Sequence, residues 1–374
     1  MSLFDVYPLY DVTPVKAKDV HVYDDKGTKY LDLYGGHAVI SIGHAHPKYV
    51  ANLSDQVSKL GFYSNAVQNP LQQELGDKLP EAAGVPDYAL FMCSTGAEAN
   101  ENAIKLASFK TGRKKILAFA NSFHGRTSAA VAATDNPKII APVNAQQQVT
   151  FLPLGEIEAV ETALKSEEYC AVILEFIQGV GGLDESTAEF YETLDKLCKA
   201  TGTMLIADEV QAGFGRTGNF FAFQAYDVQP EIISLAKGMG NGFPVGGILI
   251  HPRIEAEYGM LGTTFGGNHL ACAATLTVLD VMQDEELMEN VKEVSEHFLA
   301  KAKEIPQIKK VKGRGLMLGL EFDFDTAAIR KKLIYDHHIF TGSAKNKNLI
   351  RILPPLTVKK EHIDQFFDAL KQEF

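Results

Sequence analysis

The stretch Thr203-Met-Leu-Ile-Ala-Asp-Glu-Val-Gln211 is a short apolar run that ends in two carboxylates, and Ser234-Leu-Ala-Lys-Gly238 is a second run that ends in a lysine. Runs of this length, bounded by polar residues and glycine, are typical of buried strands in a parallel sheet. Ligands of open α/β sheets bind outside the carboxyl ends of the strands. Asp208 and Lys237 are therefore predicted to face one crevice, either as a structural ion pair or as part of a binding site.

Predicted strands and helices alternate on both sides of these two runs. Further strands are predicted at 88–93, 115–119, 149–152, 171–175 and 246–250. Such alternation predicts an α/β domain built on a parallel sheet. After Leu261 long helical patterns and paired strands predict a smaller α+β domain. We expect an N-terminal segment (1–45) that packs on the small domain, a large domain (46–262) and a C-terminal small domain (263–374).

The composition is that of an ordinary globular protein, with 374 residues, 46% hydrophobic and 22% charged residues, and a net charge of −11. The negative charge argues against nucleic-acid or acidic-lipid partners. No apolar run approaches membrane-spanning length, and no signal peptide is visible, so we expect a cytoplasmic location. The four cysteines are expected to be free thiols. His44 and His46 are assigned to a turn, and no metal site is predicted.

A turn of small polar residues follows the strand predicted at 88–93. Ser94-Thr-Gly-Ala-Glu-Ala-Asn100 leads directly into a helix predicted at 97–110. Free backbone amides and the positive helix end bind phosphate at such a turn, and hydroxyl groups add donors. Simple capping of the helix by Ser or Thr explains the same residues, so both interpretations stand on this motif alone.

Five chemical features meet at the predicted strand ends. They are the turn at 94–97, an aromatic residue beside an arginine (Phe123, Arg126), Glu175, Asp208 and Lys237. Pyridoxal 5′-phosphate (PLP) would use all of them, because it carries a phosphate, a flat ring, a ring nitrogen and an aldehyde that bonds a lysine amine. A neighbouring carboxylate raises the pKa of the ring nitrogen and keeps it protonated. The lysine, once displaced by a substrate amine, can move a proton.

The sequence resembles the class III (subgroup II) PLP-dependent aminotransferases of fold type I, and most of all their acetylornithine/succinylornithine branch. The resemblance covers nearly the whole chain. It is carried by Ser94-Thr-Gly-Ala-Glu-Ala-Asn-Glu101, Asn121-Ser-Phe-His-Gly-Arg-Thr127, Asp208-Glu-Val-Gln211, Gly213-Phe-Gly-Arg-Thr-Gly218, Ala236-Lys-Gly238 and Thr263-Thr-Phe-Gly-Gly-Asn268. Each motif is weak alone, but their joint order is specific.

The resemblance implies a fold, an activity and an assembly. The fold is α/β of fold type I, with a large mostly parallel-sheet domain and a smaller α+β domain. The activity is transfer of the δ-amine of N2-acetyl- or N2-succinyl-ornithine to 2-oxoglutarate, in arginine biosynthesis. Thr264 resembles the threonine that reaches the phosphate of the other subunit, which implies a homodimer with shared active sites.

The resemblance also implies a role for each matching cofactor residue. Lys237 is the Schiff-base lysine, and Asp208 pairs with the pyridine nitrogen. The other cofactor-binding residues are Thr95, Gly96 and Ala97 at the phosphate, Phe123 and Val210 on the two ring faces, Gln211 at the ring hydroxyl, and His124.

Three residues resemble substrate-binding positions of the family. Arg126 is matched to the arginine that takes the carboxylate of the acylated ornithine. Arg351 is matched to the arginine that takes the α-carboxylate of 2-oxoglutarate or glutamate, since a guanidinium fork suits a carboxylate. Glu175 resembles the glutamate that pairs with that arginine while the amine donor is bound.

The chain departs from the family pattern near the acyl end. Phe176 and Val180 replace a proline and a glutamate, and His37 stands in Gly36-His-Ala-Val39 where the family has isoleucine. His37 either lines the acyl end of the pocket or only packs the turn. Another ω-aminotransferase, with ornithine, 4-aminobutyrate or a diamine as donor, is the alternative. A dehydrogenase is disfavoured because no Gly-x-Gly-x-x-Gly turn follows the first strand of the alternating region.

Overall fold

The computed structural model describes residues 3–374, in which fourteen strands form three sheets. The strands are β1 (Pro14–Lys18), β2 (His21–Asp24), β3 (Lys29–Asp32), β4 (Ala89–Cys93), β5 (Lys115–Phe119), β6 (Val149–Leu152), β7 (Tyr169–Leu174), β8 (Met204–Asp208), β9 (Ile232–Leu235), β10 (Gly246–Ile250), β11 (Lys310–Arg314), β12 (Met317–Glu321), β13 (Ile339–Phe340) and β14 (Leu349–Ile352).

Ten regular helices occur in the described residues, and four of them begin at a side chain that accepts from a backbone amide. They span Pro47–Lys59, Pro70–Ala82, Gly96–Thr111, Ser128–Ala132, Ile157–Leu164, Ala188–Thr201, His269–Asp284, Leu287–Ala302, Ala327–Tyr335 and Lys360–Lys371. Proline occupies the first position of two of them, where its missing N–H costs no hydrogen bond. The helix Gly96–Thr111 begins at the Thr95 hydroxyl, which accepts from the Glu98 amide, and ends at the left-handed Gly112.

The central sheet has seven strands in the order β4-β10-β9-β8-β7-β5-β6. All pairs from β9 to β6 are parallel, whereas β10 is antiparallel to both of its neighbours. Every residue of β7 is buried, as expected of a strand covered on both faces. The predicted α/β fold with a mostly parallel sheet is confirmed.

The direction of β10 follows from its short connection. Residues 236–245 join β9 to β10, and a parallel crossover needs about a dozen residues or more. The chain therefore turns back and pairs antiparallel. The sequence Ser186-Thr-Ala-Glu189 predicts a capping box at the start of the helix Ala188–Thr201, but the N-cap is Thr187, not Ser186, and the Thr187 hydroxyl accepts from the Phe190 amide at 3.2 Å.

Two smaller sheets flank the central one. In the first, β1, β2 and β3 are antiparallel neighbours, and β13 from the C-terminal part pairs parallel with β3. The second is the antiparallel sheet β11-β12-β14. The sequence missed β1 and β13, which are short or exposed strands with little apolar pattern. The division into residues 1–45, 46–262 and 263–374 stays a prediction.

Three expectations drawn from composition concern the described residues. Within 3–374, no helix combines the length and the apolar character that crossing a membrane requires. No group of three or more potential metal ligands occurs there either; His44 instead pairs with Asp32, and His46 with Glu285. All four cysteines are free and buried.

Candidate active site

The predicted functional residues gather at the carboxyl ends of three adjacent strands. Glu175 follows β7, Asp208 is the last residue of β8, and Lys237 lies two residues beyond β9. They face a cavity of about 230 Å³. This volume is below the roughly 300–1,000 Å³ of drug-sized pockets and suits a small ligand. The lining consists of Gly96, Ala97, Asn100, Phe123, His124, Gly125, Arg126, Glu175, Val180, Asp208, Val210, Gln211 and Lys237.

Asp208 is held rigidly by three donors. Its Oδ2 accepts from the Asn100 amide nitrogen and from His124 Nδ1, each at 2.7 Å, and its Oδ1 accepts from the Val210 backbone at 3.1 Å. Since a carboxylate without a proton can only accept, His124 carries a proton on Nδ1. Asp208 is 4% exposed. The network fixes the carboxylate at the cavity wall.

Lys237 carries an amine that has no partner among residues 3–374, since no hydrogen bond or ion pair joins its Nζ to another group there. Burial lowers the pKa of Lys237 to about 8, while the charges of Asp208 and Glu175 act in the opposite direction. A larger fraction of the amine is thus neutral near pH 8 than in free lysine, as a nucleophile requires. The backbone of Lys237 has φ of 47°, a left-handed conformation that non-glycine residues rarely adopt outside functional sites.

The turn before helix Gly96–Thr111 presents free amides to the cavity. The amides of Gly96 and Ala97 donate to no group within the described chain, and both residues line the cavity. A side chain at position 96 would bring its Cβ within 2.6 Å of a Val210 methyl carbon, so this turn requires glycine. Thr95 is exposed and caps the helix. The two interpretations of this motif are therefore compatible, with Thr95 as the cap and the free amides as an anion site.

Glu175 and Arg351 are close but form no ion pair within 4.0 Å in the described structure. The Glu175 carboxylate accepts from the backbone amides of Phe123 and Gly179, at 2.9 and 2.8 Å. Arg351 donates from Nε to the Ser343 carbonyl and from a terminal nitrogen to the Gly179 carbonyl, at 2.5 and 2.7 Å. Burial raises the pKa of Glu175 well above its usual range. The predicted pairing of these two residues stays a prediction.

The structure brings most, but not all, of the predicted site residues to the cavity. Phe123, Arg126 and Val210 line it, and Arg126 is exposed to solvent. Thr95, Thr264 and Arg351 are outside the lining, although Arg351 reaches it through the Gln211 side chain at 3.4 Å. Sequence reasoning gave no role to Asn100, the direct partner of Asp208. The sequence did contain an indication of this role, because Asn100 belongs to the quoted motif and lies one helical turn after Gly96, on the same side of the helix.

Glu209, the neighbour of Asp208, shows which carboxylate serves the fold. It is 1% exposed, lies outside the lining, and accepts from the backbone amides of Ala222 and Phe223 at 2.9 and 3.0 Å. Burial raises the pKa of Glu209 to about 8 from 4.5. The folded state therefore favours the protonated form of Glu209. The stability that Glu209 contributes is complete below about pH 4.5 and is lost as the pH rises through about 8.

We expect Glu209→Gln to remove this pH dependence, because glutamine does not titrate. The difference in unfolding free energy between wild type and variant should shrink as the pH rises from about 5 to about 8.5, by at most about 1.4 kcal/mol per pH unit. Thermal unfolding across this range measures the difference. Parallel stability curves for the two proteins would contradict the assignment.

The residues around the cavity fit PLP. The amides of Gly96 and Ala97, at a helix N-terminus, and the Lys237 amine have no partner in the part of the chain that the structure describes. The two amides suit the phosphate of PLP, and the amine suits its aldehyde. The fixed carboxylate of Asp208 suits its ring nitrogen. When bound, PLP supplies a ring that stabilises negative charge developing on a substrate carbon.

Comparisons with known proteins agree with this fit. A family model described as aminotransferase class-III matches residues 6–374. The acetylornithine aminotransferase of Aquifex aeolicus is 39% identical over 385 residues, which covers 99% of each chain. The structure of acetylornithine aminotransferase from Elizabethkingia anophelis has a TM-score of 0.85 at 30% identity, covering 98% of this chain and 96% of that one.

A solved structure of another specificity is similarly close. Ornithine aminotransferase from Toxoplasma gondii ME49 has a TM-score of 0.92 at 27% identity, covering 100% of this chain and 93% of that one. The fold and the full-length sequence similarity both indicate PLP-dependent amino transfer, and the cavity that Lys237 and Asp208 line is consistent with it. The chain belongs to the aminotransferase class-III family and is a PLP-dependent aminotransferase.

Proposed function

We propose that the protein transfers the δ-amino group of an N2-acylated ornithine, with acetyl as the acyl group, to 2-oxoglutarate. The products are the acyl-glutamate semialdehyde and glutamate, and the place of this reaction is arginine biosynthesis. The observation that carries the proposal is the cavity that joins Lys237, Asp208 and Arg126. Relatives named acetylornithine aminotransferase, which match 99% of the chain, support the choice of substrate.

The proposed roles follow from what each side chain can offer. Lys237 supplies the nucleophilic amine and later moves a proton to or from the substrate carbon. Asp208 keeps the cofactor nitrogen protonated. Arg126 at the solvent side of the cavity takes the carboxylate of the acyl-ornithine, and the buried Arg351 takes the α-carboxylate of 2-oxoglutarate or glutamate. Gln211 and Thr264 are proposed to contact the cofactor.

The lining of the cavity supports acetyl over succinyl. Among the described lining residues the cations are Arg126 and Lys237, and both have assigned partners. Val180, which replaces the glutamate of the family pattern, adds an apolar wall, while Phe176 is buried against Tyr191 and Tyr226. The additional carboxylate of a succinyl group would find no cation there, and an unpaired charge is costly to desolvate.

We expect kcat/KM for N2-acetylornithine to exceed that for N2-succinylornithine by about tenfold or more, the cost of one lost charged hydrogen bond. Turnover of both donors with 2-oxoglutarate, measured side by side, tests this. Val180→Arg should shift the ratio towards the succinyl donor, whereas the matched Val180→Leu should leave it unchanged. Equal use of both donors by the wild type would contradict the acyl assignment.

Ornithine is the second candidate donor, because the Toxoplasma gondii ornithine aminotransferase shares the fold over the whole chain. The same assay separates the two donors. Free ornithine carries a second positive amine where the acylated donor is neutral. Turnover of ornithine above that of N2-acetylornithine would make this the preferred assignment.

We also propose a homodimer in the cytoplasm. An exposed aromatic pair, Phe62 and Phe265 with ring centroids 5.3 Å apart, adjoins a groove of about 1060 Å³ that includes Asn65 and Thr263. This groove is larger than the catalytic cavity, but Lys237, Asp208, Glu175 and Arg126 are not among its lining residues. Exposed apolar surface of this kind is typical of contacts between subunits. Thr264 lies outside the cavity of its own chain, which supports a role in the partner's site. Buried free thiols are typical of a reducing compartment.

A further inference from the structure

Residues 35–38 form a left-handed turn beside the active site. Their φ angles are 55°, 56°, 69° and 63°, all in the region that favours glycine. Gly35 and Gly36 adopt such angles freely, but His37 and Ala38 do not. Non-glycine residues persist in this conformation when surrounding contacts impose it, and they cluster at functional sites. This turn contains the one residue, His37, at which the chain replaces the isoleucine of its family pattern.

Three contacts hold the turn in place. Asp32 Oδ1 accepts from the amides of Tyr34 and Gly35, at 3.0 and 2.8 Å. At its far end, the Gln211 amide donates to the His37 carbonyl at 3.3 Å. The oxygen of the same Gln211 amide accepts from Arg351 at 3.4 Å. One cavity residue therefore ties the turn to the arginine proposed to bind the substrate carboxylate.

The side chain of His37 contacts a tyrosine and is exposed to solvent. Both ring nitrogens lie within hydrogen-bond distance of the Tyr34 hydroxyl, Nδ1 being the nearer and Nε2 lying at 3.2 Å. The ring centroids are 4.7 Å apart. The Tyr34 ring and Arg351 Cβ both border Gly342, at 2.8 and 3.1 Å from the point that a Cβ on this glycine would occupy. Partial burial of the ring, then the charges of Arg351 and Lys237, lower the pKa of His37, which favours the neutral form.

We infer that His37, oriented by Tyr34, is a specificity-determining residue that donates a hydrogen bond to a substrate carboxylate. If Nδ1, the nitrogen nearer to the tyrosine hydroxyl, accepts from it, a neutral imidazole carries its proton on Nε2, which makes Nε2 the donor. The neighbouring cations make this corner of the site attractive to anions. The carboxylate belongs either to the 2-oxo acid and glutamate or to the acyl-ornithine. The inference rests on the proposed function, which supplies both substrates.

The test uses substitutions that separate the side chain from its backbone. His37→Gly removes the ring without strain, because glycine accepts a φ of 69°. His37→Asn retains an N–H donor and tolerates the left-handed conformation. His338→Gly is the matched control, since His338 is also exposed, has φ of 56° and packs against a tyrosine, Tyr30. Unfolding temperatures of the holoenzymes check the fold.

Binding of two unreactive analogues to each holoenzyme is measured by calorimetry. Glutarate represents the 2-oxo acid, and N2-acetylnorvaline represents the acyl-ornithine without its δ-amine. We expect His37→Gly to lower the binding affinity for one analogue about tenfold, which is the usual effect of losing a hydrogen bond to a charged group. The other analogue should bind unchanged, His37→Asn should recover much of the loss, and His338→Gly should bind both normally. The analogue that is weakened identifies the source of the carboxylate.

Two results would overturn the inference, and they are distinguishable. If the wild type binds both analogues and His37→Gly binds them equally well, His37 only packs the turn and the proposed function stands. If the wild type binds neither analogue, the proposed substrates fail, and the inference fails with them.

Discussion

Replacement of Lys237 by alanine is expected to lower kcat for transamination by about 10³- to 10⁴-fold, the upper range for loss of a positioned proton-transfer group. The reason is the place of the amine. It lies at the end of β9, in the cavity that Asp208 also lines, with a pKa lowered to about 8 and no partner among the described residues. A single-turnover measurement with glutamate isolates the chemical step from product release.

Lys237→Arg is the matched control for charge. Arginine keeps the positive charge, but its guanidinium stays protonated in proteins and cannot act as the nucleophile. We expect this variant to be as inactive as Lys237→Ala, and small added amines to restore part of the activity of the alanine variant only. Activity of Lys237→Ala within tenfold of wild type would refute the assigned role.

Asp208→Asn is expected to lower kcat by about 10²- to 10³-fold, as removal of one preorganised electrostatic group does. The substitution keeps the shape of the side chain and removes the anion that we propose holds the cofactor nitrogen protonated. The remaining activity should rise as the pH is lowered, because protons from solution then replace the effect of the carboxylate. The pH profile of kcat provides this measurement.

Asp208→Asn should also lower the unfolding temperature, because asparagine cannot accept at both ends of the side chain. One donor among Asn100, His124 and the Val210 amide loses its acceptor, at a cost of about 1–3 kcal/mol. Glu209→Gln is the matched control, being the adjacent buried carboxylate outside the cavity. It should lower stability with less than a tenfold loss of kcat. Similar kcat losses in both variants would show that Asp208 acts through the fold alone.

The central sheet was predictable because its signal is local. Its strands are short, mostly apolar runs, and the bounds of β5 and β6 match the sequence prediction. Asp208 and Lys237 could be placed together because carboxyl ends of parallel strands share one edge. The antiparallel direction of β10 could also be inferred from the shortness of the link between Leu235 and Gly246, although hydrophobic periodicity alone does not indicate it.

Other features depended on contacts between distant parts of the chain. The pairing of β13 with β3 joins residues some 300 positions apart. A strand of two residues is too short to show a hydrophobic period, so the sequence pattern does not predict it. The donors on Asp208 come from Asn100 and His124, and their convergence required the packing of a helix and a loop on β8. The left-handed turn at His37 likewise depends on Asp32 and Gln211, which hold it from two sides.

The amino-acid sequence by itself determined the strand and helix alternation, the mostly parallel sheet, the family and the cofactor, while the roles of the individual site residues stay predictions. These properties can be predicted from local patterns, because the hydrophobic period of a segment and the order of motifs along the chain do not depend on contacts between distant residues. Only the tertiary structure decided which atoms meet. It set the three donors on Asp208, the lack of a partner for the Lys237 amine among residues 3–374, the separation of Glu175 from Arg351 and the link from His37 to Arg351 through Gln211. Distances and burial arise when remote segments pack together, so no single stretch of the chain contains them.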